Sequence, residues 1–275
     1  MGPAIGRVAQ QHPLATFFVL AYGLTWLAAV PYAVGAFPVP LLPCGPLLAA
    51  LVVTPLVGGW PATAALLRRM GRWRVGLRWY ALALLLPFGV TAGAAAAAVA
   101  LGAPAPAGDA LLGRLPGFVP IFVFNLLFPL SGALGEEPGW RGFALPRLLA
   151  GRSPLAATLI LGALVAGWHA PLFLTGQYGQ VPLRVLFIVT TTVLYTLLAN
   201  GSGGSVLLAM LFHAAWNAAA EFALPAFAGP DLDLFFALYL LGGSAVAVLA
   251  GLLAGAGFVR TPAPRGVPAF SPGAA

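Results

Sequence analysis

The chain has 275 residues, 61% hydrophobic and only 7% charged, whereas soluble globular domains carry roughly 25% charged residues; a soluble domain is excluded. Its formal charge of +7 comes from 13 arginines and no lysine, set against six acidic residues. The arginines lie in short connections between apolar runs, where they set topology and meet anionic lipid, so membrane lipid is the expected partner and nucleic acid is not.

A helix crosses a bilayer with roughly 20 apolar residues. Eight stretches meet that measure: 14–36, 45–67, 79–101, 116–135, 154–174, 181–199, 205–224 and 234–257. The first follows Arg7 and is longer than the roughly 7–15 residues of a cleavable signal core, so it reads as an uncleaved span. The sixth is the weakest and carries Arg184, which can snorkel from a helix end. Short connections predict one all-α, polytopic bundle of about eight transmembrane helices over residues 1–258. The Pro-rich stretch 259–275 reads as a disordered tail. The lone Cys44 excludes an intramolecular disulfide and a cysteine-rich metal site.

With the N-terminus inside, the cytoplasmic segments hold Arg7, then Arg68, Arg69, Arg72, Arg74 and Arg78, then Arg141, Arg147 and Arg152, and finally Arg260 and Arg265. Arg114 and Arg184 fall outside, with Asp109, Asp231 and Asp233. The excess of positive charge predicts an N-in, C-in bundle. Arginine to the exclusion of lysine, beside heavy Ala, Gly and Pro use, reads as a GC-rich genome, hence an integral protein of a bacterial plasma membrane.

The residues that stand out are ionisable groups inside apolar runs, where each is costly and marks a functional site by default. Glu136 and Glu137 close the fourth span in Glu136-Glu137-Pro138-Gly139-Trp140-Arg141. Glu137 and Arg141 are four apart and can pair, which leaves Glu136, about 100° round the helix, free for other work. Pro138 predicts a kink beside Glu136. His169 lies in the fifth span, and His213 and Asn217 share a face one turn apart in the seventh. Singly, each has an ordinary reading as a packing or interfacial residue; three consecutive spans converging on hydrogen-bonding and proton-transferring groups are hard to assign to packing. A carboxylate and a histidine, here Glu136 and His169, suit general acid-base catalysis, and His213 with Asn217 suits stabilisation of an oxyanion. Glu136, His169 and His213 would also supply three ligands for Zn²⁺ or another divalent metal, although no His-Glu-x-x-His helix is present. Asn200-Gly201-Ser202-Gly203-Gly204 reads as a Gly-rich turn rather than a serine-nucleophile motif.

These residues carry a resemblance. Glu136-Glu137-x-x-x-Arg141, then His169, then His213-x-x-x-Asn217, with Trp140-Arg141-Gly142 and Leu145-Pro146 extending the first motif, resemble the CPBP family of intramembrane proteases over about 116–221. This is the CAAX protease and bacteriocin-processing group, also called ABI, which includes the type II CAAX prenyl endopeptidases. The resemblance implies that Glu136 and His169 activate water, that His213 and Asn217 stabilise the oxyanion, and that Glu137 and Arg141 support them; it leaves the use of metal open. One departure is Val165, where the family usually has Phe four residues before the histidine; altered packing is expected there, not lost chemistry.

The expected function is therefore an intramembrane endopeptidase acting on peptides or membrane proteins near the cytoplasmic face, with its cavity open to the cytoplasm. Bacteriocin processing or self-immunity is a fitting context. Two other classes use the same residues: a proton-coupled transporter, recognisable by substrate-dependent proton flux, and a non-catalytic immunity or scaffold protein, recognisable by function surviving loss of Glu136. Straight helices would hold Glu136 and His169 apart, because His169 is fifteen residues, about 22 Å, into its span. The expected remedy is a fourth helix that continues past Pro138 to about Arg147.

Overall fold

The computed structural model describes residues 3–259, and among them every regular element is helical. In chain order these are α1 (Pro3–Gln11), α2 (Pro13–Trp26), α3 (Ala29–Ala33), α4 (Gly45–Met70), α5 (Leu77–Ala100), α6 (Gly108–Leu127), α7 (Ala133–Glu137), a π-helical turn (Pro138–Ala144), α8 (Leu145–Leu149), α9 (Pro154–Trp168), α10 (Ala170–Leu174), α11 (Val181–Gly201), α12 (Val206–Ala223), a 3-10 turn (Leu224–Ala226), α13 (Gly229–Leu253) and α14 (Ala256–Val259). The expected tail lies, from residue 260 onward, outside the described residues, as do Arg260 and Arg265.

Six helical segments are long and apolar enough to cross a membrane: Pro13–Ala33, Gly45–Met70, Leu77–Ala100, Val181–Gly201, Val206–Ala226 and Gly229–Leu253. They coincide with six of the eight expected stretches. The other two are shorter, with apolar helical parts Leu111–Leu127 and Pro154–Trp168.

The expected fourth span, 116–135, is redrawn. α6 ends at Leu127, the backbone turns extended at Phe128 and passes through Gly132 at φ +117°, and a new helix starts at Ala133. Ser131 Oγ lies 3.0, 3.1 and 2.7 Å from the carbonyls of Phe124, Asn125 and Phe128, so it serves the carbonyl groups that the end of α6 leaves without helical partners. The restarted helix then runs unbroken from 133 to 149. Pro138 does not end it. Its missing N–H and the crowding of its ring are accommodated by widening the next turn into a π-helix.

This helix and α9 form a hairpin. Ser153 caps α9, its Oγ accepting from the amide of Ala156 at 3.2 Å. α2 lies along α9: the Tyr22 hydroxyl donates to the Leu164 carbonyl, Trp26 Nε1 donates to the Trp168 carbonyl at 3.0 Å, and Trp168 Nε1 donates to Thr25 Oγ1 at 2.8 Å. On the other flank, Thr158 donates to Thr196 of α11 at 2.8 Å. In lipid, polar side chains find their partners inside the bundle, and these contacts register the helices against one another. α4 is bent at Gly58 and Gly59, where φ is −136° and +62°. Its far half thereby brings Arg69 to the carbonyls of Arg141, Gly142 and Gly204, at 2.9, 2.9 and 2.8 Å.

Two apolar cores result. One joins α2, α4, the 133–149 helix and α9 around Phe17, Trp140, Phe143 and Trp168. The other joins α5, α11, α12 and α13 around Phe212, Trp216, Phe235 and Tyr239. A small cluster of Ala133, Val206, Met210 and Ala214 bridges them, and the seam between the cores is where the candidate residues meet.

The hairpin presses closely on α4. A Cβ on Gly139 would lie 2.6 Å from both the Cβ and the carbonyl oxygen of Pro46, whereas one on Gly113 would meet nothing within 4 Å. Gly139→Ala is expected to cost about 1–3 kcal/mol through overpacking, and Gly113→Ala no more than about 0.5 kcal/mol. Thermal unfolding of the two variants in detergent measures the difference.

Candidate active site

Glu136 and Glu137 sit in the first turns of the 133–149 helix and are 6% and 0% exposed. Each uses the i,i+4 spacing. Trp140 Nε1 donates to Glu136 Oε2 at 3.2 Å, and an Arg141 guanidinium N–H donates to Glu137 Oε1 at 3.1 Å. The pairing of Glu137 with Arg141 is thus as the spacing predicts. The face of the Arg141 guanidinium also stacks 3.8 Å from the ring centre of Tyr195 on α11, a cation–π contact that desolvation strengthens.

His213 comes from α12, across the seam. Its Nδ1 lies 2.8 Å from Glu137 Oε1. One carboxylate oxygen therefore receives both Arg141 and His213, and a carboxylate only accepts, so Nδ1 carries a proton. Nε2 faces the other way: it and Glu136 Oε1 border the empty position beside Gly132, 2.9 and 3.3 Å from where a Cβ would stand. At φ +117° and with this neighbour, only glycine fits at 132. The break in the fourth span is what lets His213 and Glu136 share this space.

Asn217, one turn on from His213, donates through Nδ2 to the carbonyl of Ser131 at 3.2 Å, tying α12 to the broken segment. Its second amide N–H and its Oδ1 remain for other partners. His169 ends α9. Its Nδ1 lies 2.8 Å from the Val165 carbonyl, which fixes the proton on Nδ1 and leaves Nε2 as a lone pair. Val165 contributes only its backbone oxygen to this contact, so the departure from Phe at that position leaves it intact. The imidazole packs edge-on against Trp168 and flat against Phe173 and Tyr178.

Glu136, Glu137, Arg141, His169, His213 and Asn217 all line one cavity of about 700 Å³. The six sequence candidates are thus brought together. The depth conflict is removed by the hairpin: Glu136 begins one arm and His169 ends the other, so both lie at the same end of it. Sequence reasoning missed three contributors. Tyr195 is an aromatic in an apolar helix with no motif around it. Ser131 acts through its backbone carbonyl, which no side-chain pattern reports. Arg184, passed over as a weak point of its span, faces the cavity with its guanidinium on Tyr178 and Phe236, at 4.4 and 5.0 Å from their ring centres.

Two carboxylates and one guanidinium leave the buried group one negative charge in excess, and burial penalises net charge. One proton, on Glu136 or on His213, neutralises it. Among the described residues, no three His, Cys, Asp or Glu side chains gather at metal-holding distances. Glu136, His169 and His213, the set expected for Zn²⁺, are not drawn together in that way.

Residues 115–219 match a family model described as type II CAAX prenyl endopeptidase Rce1-like. The matched stretch holds all six candidates, and it bears out the resemblance to the CPBP and CAAX protease family read from the motifs. The match supports a membrane-embedded protease of that family. No curated protein matches the chain.

Glu137 is the counter-ion of Arg141 and the anchor of His213. Glu137→Ala leaves a guanidinium buried without its partner and is expected to cost about 3–5 kcal/mol, well beyond the cost of Glu136→Ala, which removes only the bond from Trp140. Paired unfolding curves of the two variants check that order.

Proposed function

We propose that this chain, carrying a CPBP-family segment at its centre, is an intramembrane endopeptidase in which Glu136 and His169 activate water and His213 and Asn217 stabilise the oxyanion. The observation that carries the reading is the sharing of one cavity by Glu136, His169 and His213, with Glu136 Oε1 and His213 Nε2 bordering the same space beside Gly132. Around it, eight crossings with both ends on the cytoplasmic side of a bacterial plasma membrane account best for the arginine distribution.

The chemistry follows from the proton inventory. With Nδ1–H committed to Glu137, His213 can donate from Nε2 only as an imidazolium. Placing the balancing proton there leaves Glu136 ionised and fit to act as a base. Glu136 takes a proton from water as the water oxygen attacks the scissile carbonyl carbon. The oxyanion receives hydrogen bonds from His213 Nε2 and from the Asn217 amide N–H that Ser131 does not use. When the C–N bond breaks, the proton held by Glu136 passes to the leaving amine. His169, with its Nε2 unprotonated, accepts a hydrogen bond from the water and aims its lone pair at the carbonyl. Glu137 and Arg141 are positioning residues, acting through His213 and through the helix.

Glu136→Gln keeps an oxygen for Trp140 but removes the base, and it should lower cleavage of a fluorogenic membrane-peptide panel by about 10²–10⁴-fold. His169→Ala should fall in the same range. Cleavage by the wild-type protein should survive treatment with a chelator. Full activity in both variants would overturn the proposal, and loss on chelation with rescue by Zn²⁺ would replace the glutamate base with a metal.

A further inference from the structure

The arginine-rich connections and the cavity mouth lie at opposite ends of the bundle. α11 measures the separation. It starts at Val181, beside Gln180 and Arg184, and Arg184 lines the cavity with Phe37, Val39, Gln177 and Phe236. It ends at Gly201, packed on Trp79 and followed by Gly203 and Gly204, whose carbonyls receive Arg72 and Arg69 at 3.0 and 2.8 Å. Twenty-one residues of helix span about 30 Å.

Other helices fall into the same frame. α9 starts just after Arg152 and ends at His169 in the cavity wall. α2 runs parallel to it from the Arg7 end, by the contacts of Tyr22 and Trp26 with Leu164 and Trp168. Arg7, Arg68, Arg69, Arg72, Arg74, Arg78, Arg147 and Arg152 are therefore gathered at one end with no carboxylate among them. At the other end Gln180 Nε2 donates to the carbonyl of Asp233, and Asp231, Asp233, Glu221, Arg114 and Arg184 lie on that half. A smaller cavity of about 340 Å³ opens at the arginine end, between Arg69, Pro146 and Gly203; it stops at Arg141 and touches neither Glu136, His169 nor His213. The Arg141 layer closes the site on that side.

Arginine-rich connections stay on the cytoplasmic side. We infer that the catalytic cavity opens on the non-cytoplasmic side of the membrane, so that its substrates are peptide segments presented from outside or the outer half of a membrane-spanning segment. This rests on the peptidase reading for the word substrate, but the side of the mouth is independent of it. It replaces the cytoplasmic mouth expected from the sequence. That expectation rested on Glu136 ending the fourth span at the arginine end, whereas α6 stops at Leu127 and Glu136 opens a second helix at the floor of the cavity.

Single cysteines in a full-length Cys44→Ala background read the side directly. Val39→Cys and Gln177→Cys test the mouth, and Trp73→Cys, at an exposed position in the arginine connection, tests the opposite end. With a membrane-impermeant maleimide on intact cells, both mouth cysteines should label and Trp73→Cys should label only after permeabilisation. Labelling of Trp73→Cys in intact cells, or failure of both mouth positions to label there, overturns the inference. Repeating the series with Glu136→Gln separates the two claims, because the labelling pattern does not depend on catalysis. A protease assay that fails leaves the side of the mouth standing, and a reversed labelling pattern leaves the protease standing.

Discussion

Everything at the site depends on one oxygen. Glu137 Oε1 takes a guanidinium N–H from its own helix and an imidazole N–H from α12, and so clamps the two halves of the bundle across their seam. The carboxylate is fully buried, where a bare charge is prohibitive, and these two donors make its presence tolerable. They also fix chemistry: the bond to His213 assigns the Nδ1 proton and turns Nε2 toward Glu136. Arg141 is held in turn by the Tyr195 ring on its face, and its backbone carbonyl receives Arg69. The clamp therefore extends to α11 and to the far half of α4, and the first core cannot shift against the second without disturbing it.

The second constraint is backbone irregularity at the place where the chemistry sits. A straight fourth span would carry Glu136 past the middle of the bilayer, and a straight fifth would carry His169 away from it. Breaking the chain after Leu127 and turning it at Gly132 restarts a helix whose first turn presents the two glutamates. The π-turn at Pro138–Ala144 keeps that helix continuous despite the proline, with Gly139 and Gly142 pressed against α4. Non-helical backbone at membrane depth is tolerated only where protein or a polar cavity covers it. Here Ser131 and Asn217 provide that cover, which gives Asn217 a structural task on the same side chain that is proposed to meet the oxyanion.

The candidate site was legible in the sequence because buried ionisable residues are so few that Glu136, Glu137, Arg141, His169 and His213 could hardly escape notice, and helical spacing paired Glu137 with Arg141 and His213 with Asn217. Six of the eight expected crossings were legible for the same reason that hydropathy works in membranes. The break at 128–132 was not. Phe128-Pro129-Leu130-Ser131-Gly132 is as apolar as the helices around it, so a hydropathy window passes over it. At Pro138 the helix was expected to continue to about Arg147, and it does, through a wider turn. The missed break has a physical cause: apolar character records depth in the bilayer, whereas backbone path is set by tertiary contacts such as Ser131 with α6 and Gly139 with Pro46. The bend of α4 at Gly58 and Gly59 belongs with that break.

Broken helices around a buried glutamate and histidine are also how transporters build mid-membrane sites, so the same geometry invites a proton-relay reading. The distribution of hydrogen bonds argues for hydrolysis. A relay needs its groups to exchange partners on both sides of the barrier, yet Glu137 and Arg141 are locked to one another and to two helices, and the cavity beyond them ends at Arg141 without reaching Glu136. The residues with unused capacity at the site, Glu136, His169, His213 and Asn217 together with the buried Glu137 Oε2 and Arg141 Nε, all line the larger cavity. A set of fixed donors and acceptors aimed into one chamber from a rigid frame is preorganised for a transition state, and a layer sealed by a buried ion pair is poorly made for alternating access.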